Sequence, residues 1–545
     1  MKRIFILVFS IILLAGCAGI PTAGPIQIIN QNDSQSEVND VRVIAKPPTS
    51  KMNAVQIASG FVAANISTFG DFNVARRYLT ASISRSWYPT NFDVIDTASI
   101  QYSDLGTGVI EISALQIGKL KNNHRFQIYP VAKPFSMQLK IEAKVDGLRI
   151  ASKITNGILT SSDMVRGFSA FNIYFGNENF SKLTPEIVWL PKNEKSVGTK
   201  LISSLLAGSS ESLMTAIPNG TELRFGSVAI TNGAAVVNLN SAALNADNAQ
   251  RKFMMAQIVW TMQGVPGVGR VQVATNSRVL STQGKTYLNR KDFAALDPEY
   301  AKRKSGLYML KKTSLSSLNN GRLAKVGKLP KNSKIAISEN QKLLAYIVNG
   351  ELRTAPISKI KNYTSQYGDV LNVGFDGSGR LWFSNTTGNL FCLFPDGTIQ
   401  KVLQLKNFNI QDFAVSPDGA RIAMVVSTQS KSELLVGSVV SENGLLSVVS
   451  HHKVEQTLTE VTDVDWINSR ELVAIGKIGL SESVTAQISL TNGSLRNLNS
   501  PRNFESVSAS NYSEVLAVTK SKSVWIYEDG LWAKFDTDLQ AVYSN

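Results

Sequence analysis

The chain has 545 residues, of which 43% are hydrophobic and 18% are charged, and its formal net charge at pH 7 is +15. This length exceeds what a single hydrophobic core supports and predicts about three domains. The composition is that of folded globular proteins and excludes a largely disordered chain. Only three histidines occur, which excludes a metal centre built from several histidines without other ligands.

The first residues have the pattern of an export signal. Lys2 and Arg3 precede an uncharged apolar run over residues 4–14, and small residues follow that run. At about 1.5 Å per residue, a helix of this length is too short to cross a hydrocarbon core of about 30 Å. The pattern therefore predicts export of the chain, and nucleic acid is not an expected partner.

A cysteine directly follows the small residues. The sequence Leu14-Ala15-Gly16-Cys17 resembles the bacterial lipobox. The resemblance implies that a signal peptidase recognises Leu14, Ala15 and Gly16, that residues 1–16 are removed, and that Cys17 carries N-acyl and S-diacylglycerol groups. Acyl chains contribute about 0.8 kcal/mol per buried CH₂, so two or three of them anchor a protein durably. We expect a lipid-anchored protein at the extracytoplasmic face of the cell membrane; the alternative is an ordinary secretory signal with a chance cysteine.

Residues 17–50 are predicted to be a tether between this anchor and the folded part of the chain. They contain the polar run 31–40 and four prolines, and they offer few side chains to bury. Such a segment lets the folded body stand off the membrane.

Residues 51–165 are predicted to be an N-terminal α+β domain. One helix is indicated by apolar residues at helical spacing over 55–69, and a second by the segment 74–80, with the helical region ending at Trp87-Tyr88-Pro89. Strand-like segments follow at 92–95, 108–117, 125–131, 136–145 and 148–154. We expect two helices on one face of an antiparallel sheet.

Residues 166–285 are predicted to be a second α+β domain. Helices are indicated at 197–206 and 248–263, and Asn232-Gly233 lies between two apolar runs, which is a strong hairpin signal. The unit resembles the GerMN domain. The resemblance depends on five segments in order: 204–208 (SLLAG), 217–221 (IPNGT), 236–239 (VVNL), 256–261 (AQIVWT) and 264–268 (GVPGV). It implies a binding or assembly module without catalytic residues.

Residues 286–545 are predicted to be a β-propeller preceded by a basic connector. Pairs of short strands recur from about 334, 372, 413, 463 and 506, an interval typical of propeller blades. A further blade combining residues 306–310 with 541–543 closes the ring, so six blades are favoured over five or seven. Between Lys285 and Lys334, thirteen Lys or Arg stand against Asp292, Asp297 and Glu299; this stretch either faces anionic lipid or acidic wall polymer, or is a solvated surface.

The order of lipobox, α+β region, GerMN-like unit and propeller resembles the actinobacterial LpqB lipoprotein family. The resemblance implies an accessory protein that binds the extracellular part of the sensor kinase MtrB and modulates MtrAB two-component signalling. It transfers no individual contact residue.

The chain contains no recognisable catalytic motif, so we expect no enzyme activity, no cofactor and no metal. Cys392 lies in an apolar strand-like run, which predicts a buried, inert thiol. Adjacent His451 and His452 would point to opposite faces of a strand, which argues against joint metal binding. The alternative function is a propeller hydrolase or glycan-binding protein acting on wall polymer, with four candidate carboxylates, Asp376, Asp418, Asp463 and Asp465. A purely structural role in the envelope is a third possibility.

Overall fold

The computed structural model describes residues 45–67, 72–282, 284–299, 307–319, 322–361, 364–405, 408–428, 431–454, 457–479, 482–511, 514–537 and 541–544. The predicted signal and lipobox, the tether up to residue 44, residues 69–71 and the basic residues 302–304 lie outside these ranges. Within them, no helix is both long and apolar enough to cross a membrane.

The N-terminal α+β domain has a sheet in the order β5-β4-β3-β1-β6, with β2 paired to β3. Its elements are α1 (Ala54–Ala64), α2 (Asn73–Arg76), α3 (Ala81–Ser86), β1 (Phe92–Ile95), β2 (Gln101–Asp104), β3 (Val109–Leu120), β4 (Phe126–Lys144), β5 (Gly147–Ile150), β6 (Gly157–Thr160) and α4 (Ser161–Gly167). The strands expected at 125–131 and 136–145 are one 19-residue strand. The sheet is mixed rather than fully antiparallel, because β6 pairs with β1 in parallel.

The single helix expected over residues 74–80 is wrong. The helix α2 ends at Arg76, and the chain then runs beside β5: the Thr80 N–H donates to the Ile150 carbonyl (2.9 Å) and the Ile150 N–H to the Tyr78 carbonyl (2.8 Å). Tyr78 and Leu79 are buried in the domain core by this pairing. Tertiary pairing with a strand 70 residues away in sequence therefore overrides the local helical pattern, and a separate helix, α3, begins at Ala81.

The GerMN-like domain combines a two-stranded hairpin, a four-stranded sheet and two helices. Its elements are β7 (Phe168–Gly176), β8 (Leu183–Pro191), α5 (Val197–Leu206), β9 (Ala229–Thr231), β10 (Ala234–Leu239), α6 (Asn248–Met262), β11 (Arg270–Thr275) and β12 (Arg278–Val279). The sheet order is β12-β11-β10-β9. The predicted turn between β9 and β10 is confirmed, since Asn232 and Gly233 both have positive φ angles, 51° and 71°. The helix α6 packs against β11 and against β7 of the hairpin, and α5 packs against β7 and β8, so both helices share one hydrophobic core with the sheet.

The C-terminal region consists of antiparallel strands. They are β13 (Leu307–Lys311), β14 (Ser314–Asn319), β15 (Arg322–Lys328), β16 (Lys334–Ile337), β17 (Leu343–Val348), β18 (Glu351–Pro356), β19 (Thr364–Tyr367), β20 (Val370–Phe375), β21 (Leu381–Asn385), β22 (Asn389–Leu393), β23 (Ile399–Gln404), β24 (Asn409–Val415), β25 (Arg421–Ser427), β26 (Ser432–Glu442), β27 (Leu445–Lys453), β28 (Leu458–Asn468), β29 (Glu471–Ile478), β30 (Ser483–Ser489), β31 (Leu495–Asn497), β32 (Phe504–Asn511), β33 (Glu514–Thr519), β34 (Ser523–Glu528), β35 (Leu531–Thr537) and β36 (Ala541–Ser544). Short 3₁₀ helices cover Thr97–Ser99, Ser241–Asn245, Arg290–Leu296 and Ile357–Lys359.

These strands form a six-bladed propeller within the described residues. Five blades are consecutive four-stranded sheets beginning at β16, β20, β24, β28 and β32, which we number blades 2 to 6. Blade 1 has the order β15-β14-β13-β36, so the last strand of the chain pairs with the first strand of the region, as predicted. This pairing joins the two ends of the region and closes the ring, which leaves no open edge between its first and last blades.

The GerMN-like domain docks on turns of blades 3 to 5 through buried charges. Glu178, in the loop between β7 and β8, forms an ion pair with Arg380 of blade 3, with Arg380 Nη1 2.6 Å from Glu178 Oε1. Arg380 also pairs with Asp376 of its own turn, Nε to Oδ2 2.6 Å, and all three side chains are almost fully buried. Burial raises the pKa of Glu178 and the Arg380 guanidinium partly offsets that rise.

A second group of three charges joins the same two domains. Glu211 accepts from Arg421 of blade 4 (Nη2 to Oε2, 2.5 Å) and from Arg470 of blade 5 (Nη1 to Oε1, 3.2 Å). Burial raises the pKa of Glu211, but the two guanidiniums outweigh it and lower the value to about 2. Both arginines also donate to the Pro185 carbonyl. One carboxylate therefore joins two blades to the GerMN-like domain.

The N-terminal domain is joined to the GerMN-like domain in a similar manner. Arg125, just before β4, donates through Nε to Glu186 Oε1 of β8 (2.7 Å), and its Nη2 donates to the carbonyls of Ser204 and Gly208. Ser209 and Ser210 satisfy the remaining acceptors of Glu186. The GerMN-like domain is thus held by buried, hydrogen-bonded ions on both sides.

Replacing Glu211 by Gln is expected to lower the free energy of unfolding at pH 7 by about 2–3 kcal/mol. Removing one partner of a fully buried pair costs about 3–5 kcal/mol, and the 33% exposure of the Glu211 side chain brings the expected cost below that range. Because the folded-state pKa is depressed, the stabilisation is present above the unfolded value of 4.5 and disappears as the pH falls toward about 2. Urea unfolding at several pH values measures the difference.

The matched control is Glu442→Gln, at an exposed position at the end of β26. Equal unfolding midpoints for the two variants, or a deficit of Glu211→Gln that persists unchanged at pH 2, would show that the ion pair contributes nothing to stability.

Candidate functional site: the propeller channel

A channel of about 600 Å³ runs along the innermost strands of the propeller. The innermost strands of blades 2 to 6 form its wall. Each of these five strands contributes one polar residue to the channel at an equivalent position of the blade repeat. These positions are Lys334, Asn372, Asp412, Asp463 and Ser506. The recurrence follows from the blade repeat, because equivalent residues of successive blades point to the same axis.

The carboxylates in this channel bond one blade to the next. Asp412 of blade 4 accepts the Val464 N–H of blade 5 at 3.0 Å. Asp463 of blade 5 accepts the Val507 N–H of blade 6 at 2.6 Å. Asp465 accepts the Ala509 N–H at 2.8 Å. Each carboxylate therefore satisfies a backbone donor of the neighbouring inner strand, for which the blade's own ladder offers no partner.

Two of these carboxylates also contact each other. Asp412 and Asp463 share a side-chain hydrogen bond, and the Asn372 amide donates to Asp412 from blade 3. Burial raises the pKa of both carboxyls, and for Asp463 the negative charge of Asp412 raises it well above the usual range. The raised pKa of Asp463 favours its protonated form beside Asp412, since ionising both carboxyls places like charges close together.

The four carboxylates singled out from the sequence do not form one cluster. Asp463 and Asp465 line the channel as expected for the mouth of a propeller. Asp376 lies at the channel wall, but its carboxylate is occupied by Arg380 and by Trp382 Nε1 (2.8 Å). Asp418 is buried in its turn, where it accepts from Ser416 Oγ, and does not line the channel. These two stabilise blade turns rather than forming a site.

Asp412 was not among the residues singled out, although it is central to the channel. The signal lies in the repeat itself: Asp412 precedes Phe413-Ala414-Val415 as Asn372 precedes Val373 and Asp463 precedes Val464. If the repeat of blade 4 is started at residue 412 instead of 413, the innermost strand of each of blades 2 to 6 has a polar residue at the equivalent position.

The remaining candidate residues lie apart from the channel carboxylates. Cys392 on β22 is fully buried among apolar side chains, as predicted, and burial raises the pKa of its thiol. His451 and His452 lie on β27 with exposed side chains. Among the described residues, no group of three or more His, Cys, Asp or Glu side chains is arranged to hold a metal ion.

The channel geometry does not favour glycoside hydrolysis. That chemistry needs an acid and a base or nucleophile about 5–10 Å apart across the scissile bond. Asp412 and Asp463 are instead in direct hydrogen-bond contact, and both accept backbone N–H groups of the next blade. These two carboxylates therefore bond neighbouring blades together and do not flank a substrate-sized gap.

Three protein-family models match the chain in succession. Residues 47–166 match "Lipoprotein LpqB, N-terminal domain", residues 172–280 match "Germane: Sporulation and spore germination", and residues 315–542 match "Lipoprotein LpqB beta-propeller domain". The chain belongs to the LpqB lipoprotein family. The order of the three matches is the order of the three folded regions described above.

Relatives named Lipoprotein LpqB cover most of the chain. That of Thermobifida fusca is 22% identical and covers 86% of each sequence. Those of Cutibacterium acnes and Mycobacterium tuberculosis are 23% and 22% identical, and each match covers 87% of this chain and 86% of the relative. Among solved structures, TolB from Acinetobacter baumannii is similar over 53% of this chain and 85% of its own, with 13% identity and a TM-score of 0.36.

Replacing Asp463 by Asn is expected to stabilise the protein at pH 7. Asparagine keeps an oxygen for the Val507 N–H and adds a donor toward Asp412, while it removes the like charge. Because burial and Asp412 raise the pKa of Asp463, wild-type stability falls as the pH rises from the unfolded value of 3.8 through the folded value. The melting temperature of the variant should exceed that of wild type increasingly over this range.

Thermal unfolding of both proteins between pH 3.5 and 8 measures this effect. A variant that is less stable than wild type at pH 7 would contradict this account of like charges at Asp412 and Asp463.

Proposed function

We propose that the protein is a lipid-anchored accessory lipoprotein of the extracytoplasmic face, which binds the extracellular domain of a sensor histidine kinase and modulates MtrAB-type two-component signalling. Cys17 would carry the lipid, and residues 14–16 would direct its processing. The main support is membership of the LpqB family, with three family models matching in order between residues 47 and 542.

The structure offers a physical basis for a binding role. Buried ion pairs join the three folded regions, so surfaces on each have fixed relative positions. The carboxylates of the propeller channel are bonded to neighbouring blades. Docking surfaces held on a stiff body suit recognition of another folded domain, because little conformational entropy is lost on binding.

Replacing Cys17 by Ala is expected to move the protein from the membrane fraction to the soluble fraction. A single thioether-linked diacylglycerol and an amide-linked acyl chain depend on this residue, and no other anchor is proposed. Fractionation of cells followed by immunoblotting measures the distribution, and Cys392→Ala serves as the cysteine control. Retention of Cys17→Ala in the membrane fraction would contradict lipid attachment at this residue.

The second test is direct binding. The full chain with Cys17→Ala is expected to bind the purified extracellular domain of the cognate sensor kinase with a Kd in the micromolar range or tighter, as is usual for specific interfaces. Isothermal titration calorimetry measures it, with the extracellular domain of an unrelated sensor kinase as control. No heat of binding at about 100 μM of each protein would contradict the proposed partner.

A further inference from the structure

The GerMN-like sheet has one face that its helices do not cover. Alternate residues of β10 and β11, among them Val237 and Val273, belong to the hydrophobic core that the sheet shares with α5 and α6. The other residues of these strands point away, and none of them belongs to that core cluster. We call this second side the outer face of the sheet.

Cross-strand register defines the outer face as three rows, because directly paired residues share a face. The first row is Arg224, Asn238, Ala274 and Val279, the second is Ala229, Val236, Gln272 and Tyr287, and the third is Thr231, Ala234 and Arg270. Side-chain bonds confirm the first row: Arg224 Nη1 donates to Ser277 Oγ (3.1 Å), and Asn238 Nδ2 donates to the same oxygen (3.2 Å).

Large apolar side chains are exposed along this face and its margin. Phe225, next to Arg224, is 66% exposed, Tyr287 is 44% exposed and Val279 is 38% exposed. Single exposed apolar residues need no explanation, but three around one sheet face form a patch. Such patches on soluble domains mark sites of interaction.

Arginines accompany the apolar side chains. The Arg224 guanidinium carbon lies 5.3 Å from the centre of the Phe225 ring, and that of Arg270 lies 5.0 Å from the centre of the Tyr287 ring. These contacts hold planar cations and rings together at the surface, where their remaining donors face solvent.

We infer that the outer face of the GerMN-like sheet is the docking surface for a protein partner that presents acidic and apolar side chains. Aromatic residues and arginine are enriched at protein interfaces and carry most of their binding energy, whereas lysine is depleted there. The arginines indicate a partner with carboxylates at its surface, because one guanidinium can donate two parallel hydrogen bonds to one carboxylate. This inference rests on the proposed function and names the surface through which that binding occurs.

The propeller has another positively charged surface, which serves for comparison. Between residues 300 and 338 the chain contains no Asp or Glu. Lys325 and Lys328 on β15 of blade 1 are exposed in this region. They have no exposed ring in stacking contact among the described residues. Charge reversals on blade 1 therefore provide a matched control, because they change the net charge and leave the arginines and rings of the outer face intact.

The test compares two double charge reversals in the full chain carrying Cys17→Ala. Arg224→Glu with Arg270→Glu is expected to weaken binding to the sensor-kinase extracellular domain at least about tenfold, in the range of interface hot spots. Lys325→Glu with Lys328→Glu changes the net charge equally and is expected to alter the Kd less than about twofold. Calorimetry gives both constants, and melting temperatures verify that the variants fold.

Phe225→Ser supplies a variant without a charge change, and it should also weaken binding about tenfold while the chain stays folded. Equal losses for the two double variants, or no loss for Arg224→Glu with Arg270→Glu and for Phe225→Ser, would overturn the inference while the proposed function stands. Wild-type protein that does not bind the extracellular domain at all would overturn both. Binding of wild type to phosphatidylglycerol vesicles that disappears in the arginine variant would assign the face to a membrane surface and would also overturn the inference.

Discussion

Two glutamates of the GerMN-like domain determine how the body of this protein is assembled. Glu178 and Glu211 insert among arginines from the turns of three successive propeller blades. Each arginine is desolvated and needs its carboxylate, because an unpaired buried guanidinium is costly. The interface therefore tolerates only a docked arrangement in which all of these charges meet. The charges therefore fix the orientation of the propeller relative to the GerMN-like domain and do not only hold the two together.

The same principle operates inside the propeller and on the other side of the GerMN-like domain. Channel carboxylates accept backbone N–H groups of the next blade, and Glu186 accepts from Arg125 of the N-terminal domain. In each case a carboxylate accepts a hydrogen bond from a donor of the neighbouring blade or domain. These carboxylates thus connect neighbouring blades and domains.

Much of the fold follows from local sequence patterns. The blade repeat and the apolar ends at 307–310 and 541–543 predict six blades and their closure, since strand alternation and turn residues are local signals. Asn232-Gly233 predicts its hairpin for the same reason. The break after Arg76 was not predictable in this way, because its cause is pairing with β5, which is distant in sequence.

The charges between domains show more clearly what cannot be predicted from a single sequence. Glu211 and Arg421 are 210 residues apart, and neither stands in a motif. A single sequence carries no sign that they meet. Asp412 is an intermediate case: its place in the channel is readable from the repeat, but its interaction with Asp463 of the next blade is not. The outer face of the GerMN-like sheet likewise emerges only once strand register is known.

The central claim is that buried charges hold the GerMN-like domain and the propeller in one fixed orientation. The most direct measurement is the distance distribution between spin labels at Lys252→Cys on α6 and Lys401→Cys on β23, both exposed positions, by double electron–electron resonance in a Cys17→Ala background. The account predicts one narrow distance peak at pH 7. A broad distribution or two separated peaks would contradict it.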